Sequence, residues 1–118
     1  FIDHDTVAVA RYLDQTAPDA QMYEDAAATI AAAGLEVVRL DVPGEITYLG
    51  VPMAASYTNW LVGNGVVVAT GFDHAQWDAA AKATLEGYFP GRDVIVVDTR
   101  ELWLSGGGVH CVTNDEPL

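Results

Sequence analysis

Apolar residues in this chain fall into short dense runs separated by turn residues, with no single long stripe. Four runs, at residues 7–10, 37–40, 66–69 and 94–97, are rich in valine and bounded by Gly, Asp, Asn or Pro. Such runs read as buried strands. Between the members of each pair the pattern turns helical. In the second interval Trp77, Ala81 and Leu85 recur every four residues, which puts them on one helix face. Asp73 with Gln76 three residues on reads as a capping box, and Pro90-Gly91 as the stop. In the first interval Thr16 is the expected cap, with Asp19 answering it. Pro18 stands in the first turn and Gly34 at the C-terminal end. Helices are therefore predicted near 17–33 and 74–88. Further strands are expected through 55–61 and 102–113, with a weaker one at 46–49.

The pattern repeats. Asp5-Thr6-Val7-Ala8-Val9-Ala10 returns as Asn64-Gly65-Val66-Val67-Val68-Ala69, 59 residues later. The run from Gly34 to Asp41 returns from Gly91 to Asp98, 57 residues later. Nearly equal offsets in the same order point to repeated modules. The expectation is an α/β fold of about two strand-strand-helix-strand units, roughly 1–50 and 51–118, within a single domain 1–118. Two such units leave apolar faces and strand edges open, so self-association as a homo-oligomer is expected.

Composition narrows the function. The chain has 118 residues, 51% hydrophobic and 19% charged, which fits one globular domain and excludes a disordered chain. No apolar run approaches the length of a membrane span, so no membrane partner is expected. Five basic residues stand against 17 acidic ones, a net charge of −12. Nucleic acid needs a basic surface and is excluded as a partner. An acidic field attracts cationic ligands, guanidinium compounds among them, although the same acidity also serves solubility. His4, His74 and His110 have no metal-ligand spacing, and there is no second cysteine to complete a thiolate site. Gly106-Gly107-Gly108 is not followed by the Lys-Ser/Thr of a phosphate loop. Neither metal nor cofactor is expected. The free cysteine fits a reducing, cytoplasmic setting.

The chemistry concentrates near the C-terminus, in Ser105-Gly106-Gly107-Gly108-Val109-His110-Cys111-Val112-Thr113-Asn114. Cys111 is the only cysteine and follows three glycines, which let a ligand approach the backbone closely. A lone Cys beside a His is the composition of a nucleophilic thiol, although a single Cys is more often a small buried hydrophobe. If residues 102–113 form a strand, His110 and Cys111 face opposite sides, which makes His110 structural. Asp3-His4-Asp5 reads as a polar turn leading into the first strand.

Larger sets of residues carry a family resemblance. They are Ala55-Ser56-Tyr57-Thr58-Asn59-Trp60, Asn64 to Val68, Leu85 with Phe89-Pro90-Gly91-Arg92, Val96-Val97-Asp98, and Gly106 to Thr113. In order and spacing the chain resembles the C-terminal portion of the bacterial-type peptidylarginine deiminase and agmatine deiminase family, among the guanidino-group-modifying enzymes. Ala69-Thr70-Gly71-Phe72 departs from the family's usual proline and Tyr/Phe-Gly in that loop. The resemblance implies a partial α/β propeller (pentein-like) and hydrolysis of a guanidinium C–N bond. It implies Cys111 as the nucleophile and Asn59 as an active-site residue, with Gly106, Gly107 and Gly108 at the substrate. For Asn59 the local reading, an Asn satisfying its own backbone, stands beside that role. The implied partner is a small cationic guanidino substrate, agmatine or an arginine side chain, between which the sequence does not choose. The family's catalytic His-x-Asp and its N-terminal carboxylate would lie before Phe1, so the isolated 118 residues are expected to be inactive. The Cys111 pKa is then expected to stay near its reference, with the thiol accessible and Asn59 on an adjacent strand. The competing reading is a non-catalytic half-propeller that binds a ligand or a protein partner.

Overall fold

The computed structural model describes residues 1–114 and is a mixed α/β structure built on small sheets. β1 (Thr6–Tyr12) leads through α1 (Ala20–Ala32) to β2 (Glu36–Val42), which pairs parallel with β1. A hairpin of β3 (Gly44–Tyr48) and β4 (Val51–Ala55) follows, turning at Leu49-Gly50. Then β5 (Trp60–Gly63) runs antiparallel to β6 (Val66–Gly71). The chain returns through α2 (Ala75–Tyr88) to β7 (Asp93–Asp98), parallel to β6. The units β1–α1–β2 and β6–α2–β7 thus share element order and strand sense, and the repeated segments Val7–Ala10 and Val66–Ala69 are both strands. The closing elements are α3 (Arg100–Leu104) and a single 3-10 turn, His110–Val112.

Strand periodicity sorts the apolar side chains by face. Ala10, Tyr12, Leu40 and Val42 turn inward from the first sheet, and Trp60, Val67, Ala69 and Val94 from the last. α2 packs on both β7 and β2, inserting Ala81 and the fully buried Leu85, so it joins the two sheets around one core. Phe89, at the end of α2, meets Trp60 edge-on at 5.8 Å between centroids.

Both helices match their predicted spans, but their starts differ. Gly34 takes φ +87 and closes α1 with the bonds Gly34 N–H to Ala31 and Leu35 N–H to Ile30, a Schellman ending. At the other end Thr16 does not cap. Its amide and hydroxyl both donate to Asp14 Oδ1, at 2.9 and 2.6 Å, so it closes a turn four residues before the first helical residue. Asp73 does not cap α2 either. It sits at φ +53, and His74 Nδ1 accepts the Trp77 N–H instead. The carboxylate of Asp78 reaches back to the amides of Phe72 and His74, at 3.1 Å each.

Two predicted strands are corrected. Residues 55–61 are not one strand, because β4 ends at Ala55 and β5 begins at Trp60. Ser56 and Thr58 share a hydroxyl hydrogen bond of 2.8 Å, which draws the backbone into a turn. Residues 102–113 are not a strand at all. Thr99 is anchored by its amide and hydroxyl to the Gly71 carbonyl, at 3.0 and 3.2 Å, which starts a helical turn rather than an extended one. Trp103 on α3 then docks edge-on against Phe72 at 5.3 Å. Arg100 stacks over Tyr48 at 4.7 Å while pairing with Asp98 and Asp73. The triple glycine ends α3, Gly106 at φ +101, and frees the chain to turn back over β6.

Candidate active site

The candidate site assembles at the C-terminal end of β6, where two loops meet. One is the 56–59 turn, which ends in Asn59. The other is the Gly106–Val109 return, which leads into the 3-10 turn bearing Cys111. The Cys111 thiol is exposed, and Asn59 Nδ2 donates to its Sγ at 3.0 Å. Asn59 Oδ1 accepts the His110 N–H at 2.7 Å. With its oxygen held by a backbone donor, the amide has only its NH2 to present to sulfur, which fixes its orientation.

That hydrogen bond sets the electrostatics. The Asn59 donor, with a further contribution from the Gly108 backbone, holds the Cys111 thiol below its ordinary value by stabilising the thiolate. The expectation of an unperturbed thiol is therefore corrected: the partner needed to shift it lies within these residues. The placement of Asn59 is corrected too, since it lies in the turn preceding β5.

The glycines have separate reasons. A Cβ on Gly107 would stand 2.5 Å from Cys111 Cβ and 2.6 Å from its Sγ. A Cβ on Gly108 would collide with Thr70 Oγ1 and lie 3.0 Å from Asn59 Oδ1. Gly106, with its positive φ, meets nothing and serves the turn. Gly107 thus keeps a side chain off the thiol itself, and Gly108 keeps one off Thr70 and Asn59.

His110 shares the 3-10 turn with Cys111, so the alternation of a strand does not separate them. It lines a groove of about 300 Å³ with Phe1, Ala8, Thr58, Trp60 and Leu61. His4 lies outside the site: it pairs with Asp5 at 2.8 Å, while Asp3 Oδ1 caps the amides of Asp5 and Thr6 in an exposed turn. Among the described residues no three His, Cys, Asp or Glu side chains converge to hold a metal ion. No helix among them is long and apolar enough to cross a membrane.

Supporting residues escaped the sequence reading. Tyr57 is fully buried and donates to Asp78 Oδ1 at 2.7 Å, anchoring the turn that carries Asn59 to the start of α2. Burial, with the Asp78 carboxylate beside it, pushes its phenol far above the usual range. The readable signal was an aromatic with a hydroxyl in a polar turn. Thr70 is buried at the end of an otherwise apolar strand, and its only signal was a hydroxyl in a valine run.

A model of the Porphyromonas-type peptidyl-arginine deiminase family matches residues 1–117. The chain belongs to this family. An agmatine deiminase of Medicago truncatula is 30% identical over 129 residues, covering 88% of this chain and 34% of that protein. One from Pseudomonas aeruginosa is 38% identical over 84 residues, covering 71% of this chain and 22% of its own length. The solved agmatine deiminase of Enterococcus faecalis superposes with a TM-score of 0.84 at 26% identity, over 99% of this chain and 38% of its own. The C. jejuni agmatine deiminase, at 22% identity and a TM-score of 0.84, shares the fold. The chain therefore spans about a fifth to a third of these deiminase-family relatives.

Proposed function

We propose that this chain forms the C-terminal catalytic portion of a guanidine deiminase, with Cys111 as nucleophile. The observation that carries the reading is the exposed Cys111 thiol accepting a hydrogen bond from Asn59 Nδ2 at 3.0 Å. A donor aimed at sulfur favours the thiolate, the form that attacks carbon. In the proposed reaction the thiolate adds to the guanidinium carbon and a C–N bond breaks, releasing ammonia once that nitrogen is protonated. Water then adds to the amidino-thioether carbon, the C–S bond breaks, and a ureido product leaves with the thiol restored.

The substrate is a small guanidino cation, agmatine or an arginine side chain. Agmatine is favoured by the names of the relatives above. Gly106, Gly107 and Gly108 are the proposed substrate-side backbone, with Gly106 open and Gly107 packed directly against the thiol. Protonating the leaving nitrogen and activating water need an acid–base pair, which the resemblance locates upstream as His-x-Asp. The 118 residues by themselves are proposed to turn over little or no substrate. In fold terms the repeated βαβ units β1–α1–β2 and β6–α2–β7 are proposed as parts of an α/β propeller working in the cytoplasm, the 50/51 boundary of the expected modules falling inside the β3–β4 hairpin.

The test is a ureido-product assay on the longest natural form containing these residues, with agmatine and an arginine peptide side by side. Turnover of at least one is expected. No turnover of either, by folded protein, overturns the deiminase reading in favour of a non-catalytic module.

Self-association belongs to the same proposal. β7 is an edge strand, and its Ile95 and Val97 are 50% and 41% exposed. An open edge with apolar side chains favours pairing with a second copy. Sedimentation of the 118-residue chain should show a dimer or larger at high concentration, and a strict monomer would remove this part of the proposal.

A further inference from the structure

We propose that Thr70 is a positioning residue for the Cys111 thiolate, its buried hydroxyl clasping the Asn59 turn to the Cys111 turn. The proposal rests on the reading of Cys111 as nucleophile and names what sets its geometry.

Thr70 has no solvent exposure. Its Oγ1 donates to the Asn59 carbonyl at 2.8 Å and accepts the Val109 N–H at 3.3 Å. A hydroxyl has one proton to give and lone pairs to receive, so one oxygen satisfies both loops at once. The Thr70 amide also donates to the Asn59 carbonyl, at 3.3 Å, which pins the turn to the end of β6. On the other side Gly108 is packed so closely that a Cβ would run into Thr70 Oγ1. Beneath the direct bond from the His110 N–H to Asn59 Oδ1, the two segments that bring Asn59 Nδ2 to Cys111 Sγ are also tied through this one buried atom.

Water has no access to replace that atom, and an apolar side chain of the same shape could not bond to either loop. A β-branched side chain also holds its χ1 stiffly, so the oxygen is not free to wander. Without the clasp the turns bearing Asn59 and Cys111 separate by small amounts, and hydrogen bonds weaken steeply with distance and angle. The Asn59 donor then stabilises the thiolate less. Thr70 lies in Ala69-Thr70-Gly71-Phe72, the stretch that departs from the family's usual pattern.

The experiment uses the 118-residue chain and needs no turnover. Cys111 is the only thiol, so its alkylation by iodoacetamide, followed against pH, reports its ionisation directly. Thr70→Ser keeps the hydroxyl and should match the unsubstituted chain. Thr70→Val keeps the shape and should move the midpoint upward, in the same direction as Asn59→Ala. Its alkylation rate at pH 7 should fall about threefold or more, because less thiolate is present. Circular dichroism melts accompany each variant. A merely structural Thr70 would lower the melting temperature and leave the alkylation midpoint of the folded chain unmoved, which overturns the proposal. Should Thr70→Val not fold, Gly108→Ala displaces the same hydroxyl from the other side and carries the same expectation. Equal midpoints in folded Gly108→Ala and unsubstituted chain again overturn it. Loss of the nucleophile reading would show separately, as deiminase activity surviving Cys111→Ser in the longest natural form.

Discussion

Cys111→Ser in the longest natural form containing these residues is expected to abolish guanidine hydrolysis, lowering kcat by at least about a thousandfold. The melting temperature should be unchanged within error. The reason lies in ionisation. Cys111 accepts a hydrogen bond from Asn59 that holds its thiol below the ordinary range and so favours the thiolate over an unperturbed thiol. A serine hydroxyl in the same place has a pKa far too high for one amide donor to ionise it. The fold should tolerate the change because the side chain is exposed and makes no core contact. Serine can also accept the Asn59 N–H. The sign of the pH dependence follows from the same bond. With the folded thiol depressed, reactivity is retained above its midpoint and lost as pH falls through it. Substantial activity in the serine variant, measured as ureido product from agmatine, would remove Cys111 from the nucleophile role.

Leu85→Ala should be the most damaging substitution away from the site, costing about 2–5 kcal/mol. Leu85 is fully buried on α2, the helix that packs against both β7 and β2. Truncation loses the transfer energy of its methyl and methylene groups and leaves a void between sheets that have no backbone bonds to each other. Small domains hold only about 5–15 kcal/mol in total, so the unfolding transition should move to much lower urea and lose cooperativity. A loss below about 1 kcal/mol, the scale of an ordinary substitution, would mean that α2 does not hold the two sheets together.

The parts of the fold governed by local rules were legible. Trp77, Ala81 and Leu85 mark the buried stripe of α2, and Gly34 ends α1 because the Schellman turn there needs a left-handed residue. The repeated valine runs became parallel pairs in both units. The parts that failed depended on partners distant in sequence. Residues 102–113 were expected to form a strand. The structure makes the start helical because Thr99 is bound to Gly71 and Trp103 finds Phe72. The caps failed for a local reason instead, Thr16 being drawn to Asp14 two residues before it and Asp73 displaced by its neighbour His74.

For the site, sequence alone determined which groups are present: one thiol, one asparagine 52 residues before it in family order, and three consecutive glycines just ahead of the thiol. Those are matters of composition and local spacing, and they are fixed before the chain folds. It did not determine that the asparagine amide would point at the sulfur. That contact joins residues 52 apart, and it requires two loops to close on each other at an ångström scale. Only the tertiary structure decided this. The bonds that close the loops run through the buried Thr70 hydroxyl and the Tyr57–Asp78 pair. Such bonds become strong only where packing has removed water and fixed both partners.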